Sequence, residues 1–129
     1  VFSLSKIASG GEKSRILFAL KSILAKKVNL PTLVFDEIDS GTSGEIANSI
    51  GGMMKVMGKK IQILSITHLA QVASKADHHY KVFKSSIKNK VVTNINKLDN
   101  SERVEEIALM ISGENVTESA INQASELLK

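Results

Sequence analysis

The chain has 129 residues, 43% of them hydrophobic, a net charge of +4 and no cysteine. That is one domain's length with ample apolar material for a core, and it excludes a disulfide framework and any thiolate metal site. No run approaches the ~20 apolar residues of a membrane span, and the start Val1-Phe-Ser-Leu-Ser lacks the basic-then-apolar layout of a signal peptide, so a cytoplasmic protein is expected.

The charge surplus is lysine, at positions such as Lys26, Lys27, Lys59, Lys60, Lys84 and Lys97. Such a surplus suits either attraction to a polyanion or a plain solvated surface. Because a motif begins almost at once after Val1, the sequence reads as part of a longer chain. Ser3-Leu-Ser-Lys-Ile-Ala-Ser-Gly-Gly-Glu12 runs into Ile16, Leu17, Leu20, Ile23 and Leu24 at helical spacing, which predicts an amphipathic helix begun by Ser9-Gly10-Gly11 and ending near Val28-Asn29. Glycines at a helix start admit a ligand close to the free first-turn amides, where the dipole favours an anion; a plain cap is the structural alternative. It is no P-loop, since G-x-x-x-x-G-K-[ST] occurs nowhere in the chain.

Pro31 then resets the chain for a strand, Thr32 to Phe35, that ends in Asp36, Glu37 and Asp39. Consecutive apolar residues predict a parallel strand buried on both faces, with the acids at the carboxyl rim where open α/β sheets bind ligands. There Asp36 would hold Mg²⁺ and Glu37 would orient or deprotonate a water; a solvated acidic turn is the alternative.

Ser40-Gly-Thr-Ser-Gly44 reads as a flexible loop, and Thr42 with Glu45 as the capping box of a helix whose inner stripe is Ile46, Ala47, Ile50, Met53, Met54 and Met57. Gly58 closes it. Ile61 to Ile66 is a second buried strand ending in Thr67-His68, so the βαβ rule brings His68 to the rim of Asp36 and Glu37. A short helix spans 69–75, and His78 and His79 read as ordinary strand-start residues. Tyr80 to Lys84 and Val91 to Ile95 form an antiparallel hairpin at a sheet edge, followed by a helix through Val104, Ile107, Ala108 and Ile111 closed by Gly113, and a last one through Ile121, Ala124, Leu127 and Leu128.

Ala8-Ser-Gly-Gly-Glu12, Leu33-Val-Phe-Asp-Glu37, Ser40-Gly-Thr-Ser-Gly44 and Thr67-His68 resemble, in order and spacing, the signature, Walker B strand, D-loop and switch histidine of the ABC-type ATPases. Within them, Phe35-Asp-Glu-Ile-Asp-Ser-Gly-Thr-Ser-Gly44 and Thr67-His-Leu-Ala-Gln-Val-Ala73 are similar to the SMC-like RecN family of bacterial DNA repair ATPases, from about Leu4 onward. Transporter ATPases fit less well, because Ile38-Asp39 stands where they carry Pro-Thr; Ala8 departs from the usual leucine.

The resemblance implies an α/β fold of the P-loop NTPase class, with residues 1–129 as the C-terminal lobe of an ATPase head whose Walker A lobe and coiled coil lie elsewhere. Two such heads sandwich ATP and Mg²⁺. It further implies Asp36 at the metal, Glu37 at the lytic water, and His68 at the γ-phosphate. Ser9, Gly10, Gly11 and Glu12 would meet the partner head's nucleotide, with Ser40 and Gly41 along the dimer interface. DNA is the implied partner of the whole protein, in double-strand break repair near the nucleoid. Strand edges and apolar faces of a lobe on its own would lack partners. The competing readings are another SMC-like or transporter-type ABC domain, and a non-catalytic nucleic-acid-binding domain.

Overall fold

The computed structural model describes residues 10–39, 41–42, 44–87 and 90–129, which fall into two compact units meeting in sequence at Lys75 and Ala76. In the first unit helix α1, Gly10–Val28, runs into Asn29 at φ 51°, a left-handed cap that asparagine tolerates, and Pro31 prevents its resumption. Strand β1, Thr32–Asp36, pairs in parallel with β2, Gln62–Ile66, in the register Val34 to Leu64 and Asp36 to Ile66. The crossover is α2, Gly44–Gly58, and the short α3, Ala70–Ala73, follows β2. This is the expected βαβ unit.

Its core gathers Phe18 and Ala25 of α1, Leu33 and Phe35 of β1, Ile38 just after β1, the α2 residues Ala47, Ile50 and Met54, and Val72 of α3. Phe18 and Phe35 meet as a tilted ring pair with centroids 5.1 Å apart. Gly51 of α2 lets α3 approach closely: a Cβ there would stand 3.0 Å from the Gln71 carbonyl oxygen.

Several sequence expectations shift here. The buried face of α1 is Phe18, Ser22 and Ala25, whereas the apolar stripe Ile16, Leu17, Leu20, Ile23 and Leu24 is 40–63% exposed. The sheet is buried on one face instead of two, since Val34, Leu64 and Ile66 on the other face are about half exposed. Periodicity reports which residues are apolar; it cannot report which face has a neighbour. Of the three methionines assigned to the inner stripe of α2, Met54 is buried, Met57 packs against the core and Met53 is exposed. Helix α2 begins at Gly44, so its cap position is residue 43, outside the described residues. Thr42 Oγ1 instead donates to the Asp39 carbonyl at 2.6 Å, in place of the expected capping box.

The second unit holds the hairpin β3, Tyr80–Ile87, and β4, Lys90–Lys97, then α4, Asn100–Ser112, and α5, Glu118–Leu127. The hairpin is longer than expected and forms a two-stranded sheet of its own instead of an edge of the parallel one. Leu98, Ile107, Ala108, Ala120 and Ala124 are buried here. Asp99 caps α4 in a reciprocal box with Glu102, and the Glu102 amide and Ser101 hydroxyl hold its carboxyl below the usual range. Lys81 is ion-paired with Glu106.

Candidate functional site at the carboxyl ends of the parallel strands

Because β1 and β2 are parallel and paired Asp36 to Ile66, their following residues emerge side by side: Asp36 and Glu37 from one, Thr67 and His68 from the other. The Glu37 amide extends the ladder by donating to the Ile66 carbonyl at 2.9 Å. Asp36, Glu37 and His68 are all exposed. Solvent access is what a substrate-facing group needs and what a structural carboxylate at a buried strand end does not.

Glu37 sits at φ 44°, in the left-handed region, although it is neither glycine nor asparagine. That conformation costs about 1–2 kcal/mol for an L-residue, and such outliers gather at functional sites. Here the cost has a geometric use. The ladder bond fixes the Glu37 amide on β2 while the positive φ turns the chain off the strand axis at once, so the carboxylate is presented at the rim.

Beyond it, Ile38 returns to the core and Asp39 is only 1% exposed. Asp39 Oδ2 accepts the Thr67 hydroxyl hydrogen bond, Thr67 Oγ1 accepts from the Leu69 amide at 3.0 Å, and the Asp39 carbonyl also accepts from the Thr42 amide at 3.0 Å. Sequence reasoning assigned Asp39 no role. The available signal was Asp39 three residues past Asp36 with Thr67 at the matching end of β2, but strand alternation alone does not say that the Asp39 side chain turns inward.

Glycine-rich segments meet here as well. Gly41 has φ +71°, and a Cβ on it would stand 3.6 Å from both N and Cα of Gly11. The loop after β1 therefore runs against the start of α1, and the expected signature and D-loop glycines are neighbours within one chain. Gly10 is exposed, with open space around it, and Glu12 lies in the first turn of α1. Ser9 and Ser40 lie outside the described residues.

A magnesium–nucleotide complex fits the donors present. Among the described residues no group of three or more His, Asp or Glu side chains could hold a metal by itself. A lone exposed strand-end carboxylate is what Mg²⁺ takes when phosphate oxygens and waters complete its octahedron. No helix among the described residues is long and apolar enough to cross a membrane.

Comparison with known proteins gives a consistent answer. No family model matches the chain. It is 44% identical over 126 residues to DNA repair protein RecN of Rickettsia conorii, 42% over 125 residues to RecN of Vibrio cholerae, and 40% over 125 to RecN of Haemophilus influenzae. These alignments cover 97–98% of the chain but only 22–23% of each relative, so the chain spans about a quarter of the length of the curated relatives it matches. Among solved structures it is similar to the SMC head domain of Thermotoga maritima, with TM-score 0.57 and 29% identity over 73% of this chain and 34% of that one. It is also similar to the Smc head domain of Pyrococcus yayanosii, with TM-score 0.66 and 22% identity over 78% of this chain and 19% of that one. A third likeness, TM-score 0.65 and 20% identity over 85% of this chain and 66% of that one, is to an SMC ATPase studied for ATP-driven dimerization and DNA-stimulated activation. The chain belongs to the RecN family of DNA repair proteins, as a stretch matching the C-terminal part of its members, and has the fold of an SMC-type ATPase head.

Proposed function

We propose that residues 1–129 are the C-terminal lobe of an ATPase head and that the complete protein binds and hydrolyses ATP while acting on DNA in double-strand break repair and recombination. The observation that carries this reading is Glu37, exposed at the carboxyl end of β1 in a strained φ of 44°, directly after Asp36 and beside the loop that carries His68. When bound, ATP with Mg²⁺ supplies the phosphoanhydride and the charge that draws electrons from it. Asp36 would hold the metal, directly or through water, with the phosphate oxygens and further waters completing its shell. Glu37 orients the attacking water and takes its proton, and His68 donates a hydrogen bond to the terminal phosphate. Phosphoryl transfer asks for positioning and charge stabilisation, and these groups supply both.

The chain has no P-loop. The α- and β-phosphates are therefore held by a first lobe of the same protein, which also covers the exposed stripe of α1 and the open face of the sheet. Ser9, Gly10, Gly11 and Glu12 face the nucleotide of a second head, with Ser40 and Gly41 along the contact, so that ATP joins two heads. The setting is the bacterial cytoplasm, at the nucleoid.

Glu37→Gln in the full-length protein tests the reading. It retains ATP binding and lowers turnover by about 10²–10⁴-fold, since the amide cannot accept the proton. Asp36→Asn instead makes nucleotide affinity less dependent on magnesium. Unchanged turnover in Glu37→Gln overturns the assignment. The trans arrangement is tested by mixing Ser9→Arg with a variant lacking the P-loop lysine: each is inactive alone, and a mixed dimer recovers part of the turnover. Mixed dimers that form but stay inactive refute it.

A further inference from the structure

Asp39 is one of the most deeply buried side chains among the described residues and is a charged one, yet Oδ1 has no hydrogen-bond partner. A carboxylate out of water with one oxygen unpaired destabilises its surroundings relative to an aliphatic side chain of similar size, so packing alone does not explain it. Its contacts offer another explanation. Oδ2 receives the Thr67 hydroxyl, and that hydroxyl in turn receives the Leu69 amide, so the two bonds bracket His68 from either side. The Asp39 carbonyl receives both the amide and the hydroxyl of Thr42. Glu37 lies two residues before Asp39, and its own amide bonds to the Ile66 carbonyl of β2. One residue thus clamps the loop after β1 to the loop after β2, with Glu37 on one side and His68 on the other.

We infer that Asp39 is a positioning residue for hydrolysis: through Thr67 it fixes the His68 loop relative to Glu37. This rests on the ATPase reading above. The clamp acts through a hydrogen bond and not through net charge, because the atom it uses is an acceptor directed at a hydroxyl donor. An amide oxygen at position 39 can replace it, and a serine hydroxyl can replace that of Thr67. Neither alanine at 39 nor valine at 67 can. Reacting groups displaced by about 1 Å lose on the order of 100-fold in rate, so freeing this loop acts on turnover more than on nucleotide binding.

The experiment uses the full-length protein. Asp39→Ala and Thr67→Val are each expected to lower kcat about 10- to 100-fold with the KM for ATP and the affinity for a fluorescent ATP analogue nearly unchanged. The double variant is expected to be no worse than the worse single one, since both remove the same bond. Asp39→Asn and Thr67→Ser restore most of kcat. Hydrogen exchange at the His68 and Leu69 amides speeds up in Asp39→Ala and Thr67→Val and stays slow in Asp39→Asn. A merely structural role predicts lowered melting temperatures with kcat unchanged in the folded fraction, and that result overturns the inference. So does an Asp39→Asn variant as inactive as Asp39→Ala, which would make charge the operative property. Should Asp39→Ala fail to fold, the Thr67→Val and Thr67→Ser pair decides alone. Glu37→Gln in the same series separates the two levels: if it leaves turnover intact the ATPase reading fails, and if it abolishes turnover while Asp39→Ala and Thr67→Val do not reduce it, only the clamp fails.

Discussion

The two units treat local backbone rules differently. In the second, three of the four helix ends are supplied as peptide chemistry would have it: Asp99 and Glu102 form a capping box, Thr117 Oγ1 accepts from the Ala120 amide at 3.2 Å, and Gly113 takes φ 76° where a side chain would be strained. The first contains a glutamate in the left-handed region, a buried carboxylate with an unpaired oxygen, and a short helix whose Leu69 start has no side-chain cap. Among the described residues the non-glycine residues in the left-handed region, Asn29 and Glu37, both lie in the unit that holds every candidate site residue, whereas buried unpaired polar atoms occur in both units, His79 Nδ1 in the second. Sequences that fold well agree across levels and break that agreement where function demands it. The first unit is the one in which the proposed site lies.

The largest test of this contrast is core truncation, where the two units should behave alike. Phe35→Ala and Ile107→Ala each empty a fully buried site and are expected to cost about 3–5 and 2–5 kcal/mol, respectively, in denaturant unfolding. A cost below 1 kcal/mol for either would show that its unit lacks a tight core. Next is Glu37→Gly, where the units should part: relief of the left-handed backbone stabilises the fold by roughly 1 kcal/mol while turnover of the full-length protein is lost. If the variant is destabilised instead, the positive φ carries no strain. Thr117→Ala is the counterpart, losing about 1 kcal/mol with no effect on turnover, because a cap serves only its helix.

The smallest effect is a pH dependence in the second unit. Burial, then the neighbouring Arg103 guanidinium, pull the His79 pKa below its usual value, Lys81 lowers it further, Glu106 opposes them, and the buried Nδ1 has no hydrogen-bond partner. The unfolded chain therefore binds the proton more readily than the folded one, so stability is full above about pH 6.5 and declines as the pH falls toward the folded-state value. Because His79 is half-buried the decline is shallow, and His79→Gln should flatten it. A stability that rises on acidification from pH 7.5 to 5.5 and is flattened by His79→Gln would reverse the sign.

Much of this was legible in the sequence, for identifiable reasons. The βαβ unit showed because Leu33-Val-Phe35 and Ile61 to Ile66 are apolar runs too short for helices, separated by a helical stripe. Asp36, Glu37 and His68 then follow from topology, since parallel strands place their carboxyl ends on one rim. What stayed hidden depends on partners outside the local window. Ile16, Leu17 and Leu20 have the periodicity of a core face and are exposed, while Ser22, polar and unremarked, is buried because its hydroxyl returns to the Phe18 carbonyl at 2.7 Å. The φ of Glu37 has no sequence signature, because glutamate gives no hint of a left-handed turn. Asp39 was obscured by its neighbours: three carboxylates in four positions read as one acidic rim, and only the fold turns the third one inward.

Lys21 gives the sheet edge a chemical lock. Gln62 donates to the Pro31 carbonyl and Glu37 to the Ile66 carbonyl, so the alternation of a parallel ladder directs Leu33 and Phe35 toward β2 and leaves the backbone groups of Val34 on the outer side. There the Lys21 ammonium takes the Val34 carbonyl at 3.1 Å while standing 5.6 Å from the centre of the Phe35 ring. A long positive side chain laid across an open strand keeps foreign strands off it, both by occupying the acceptor and by the charge it would bury in any stack. Acylating that one amine would remove its positive charge from beside the Phe35 ring and weaken its hydrogen bond to the Val34 carbonyl in a single step.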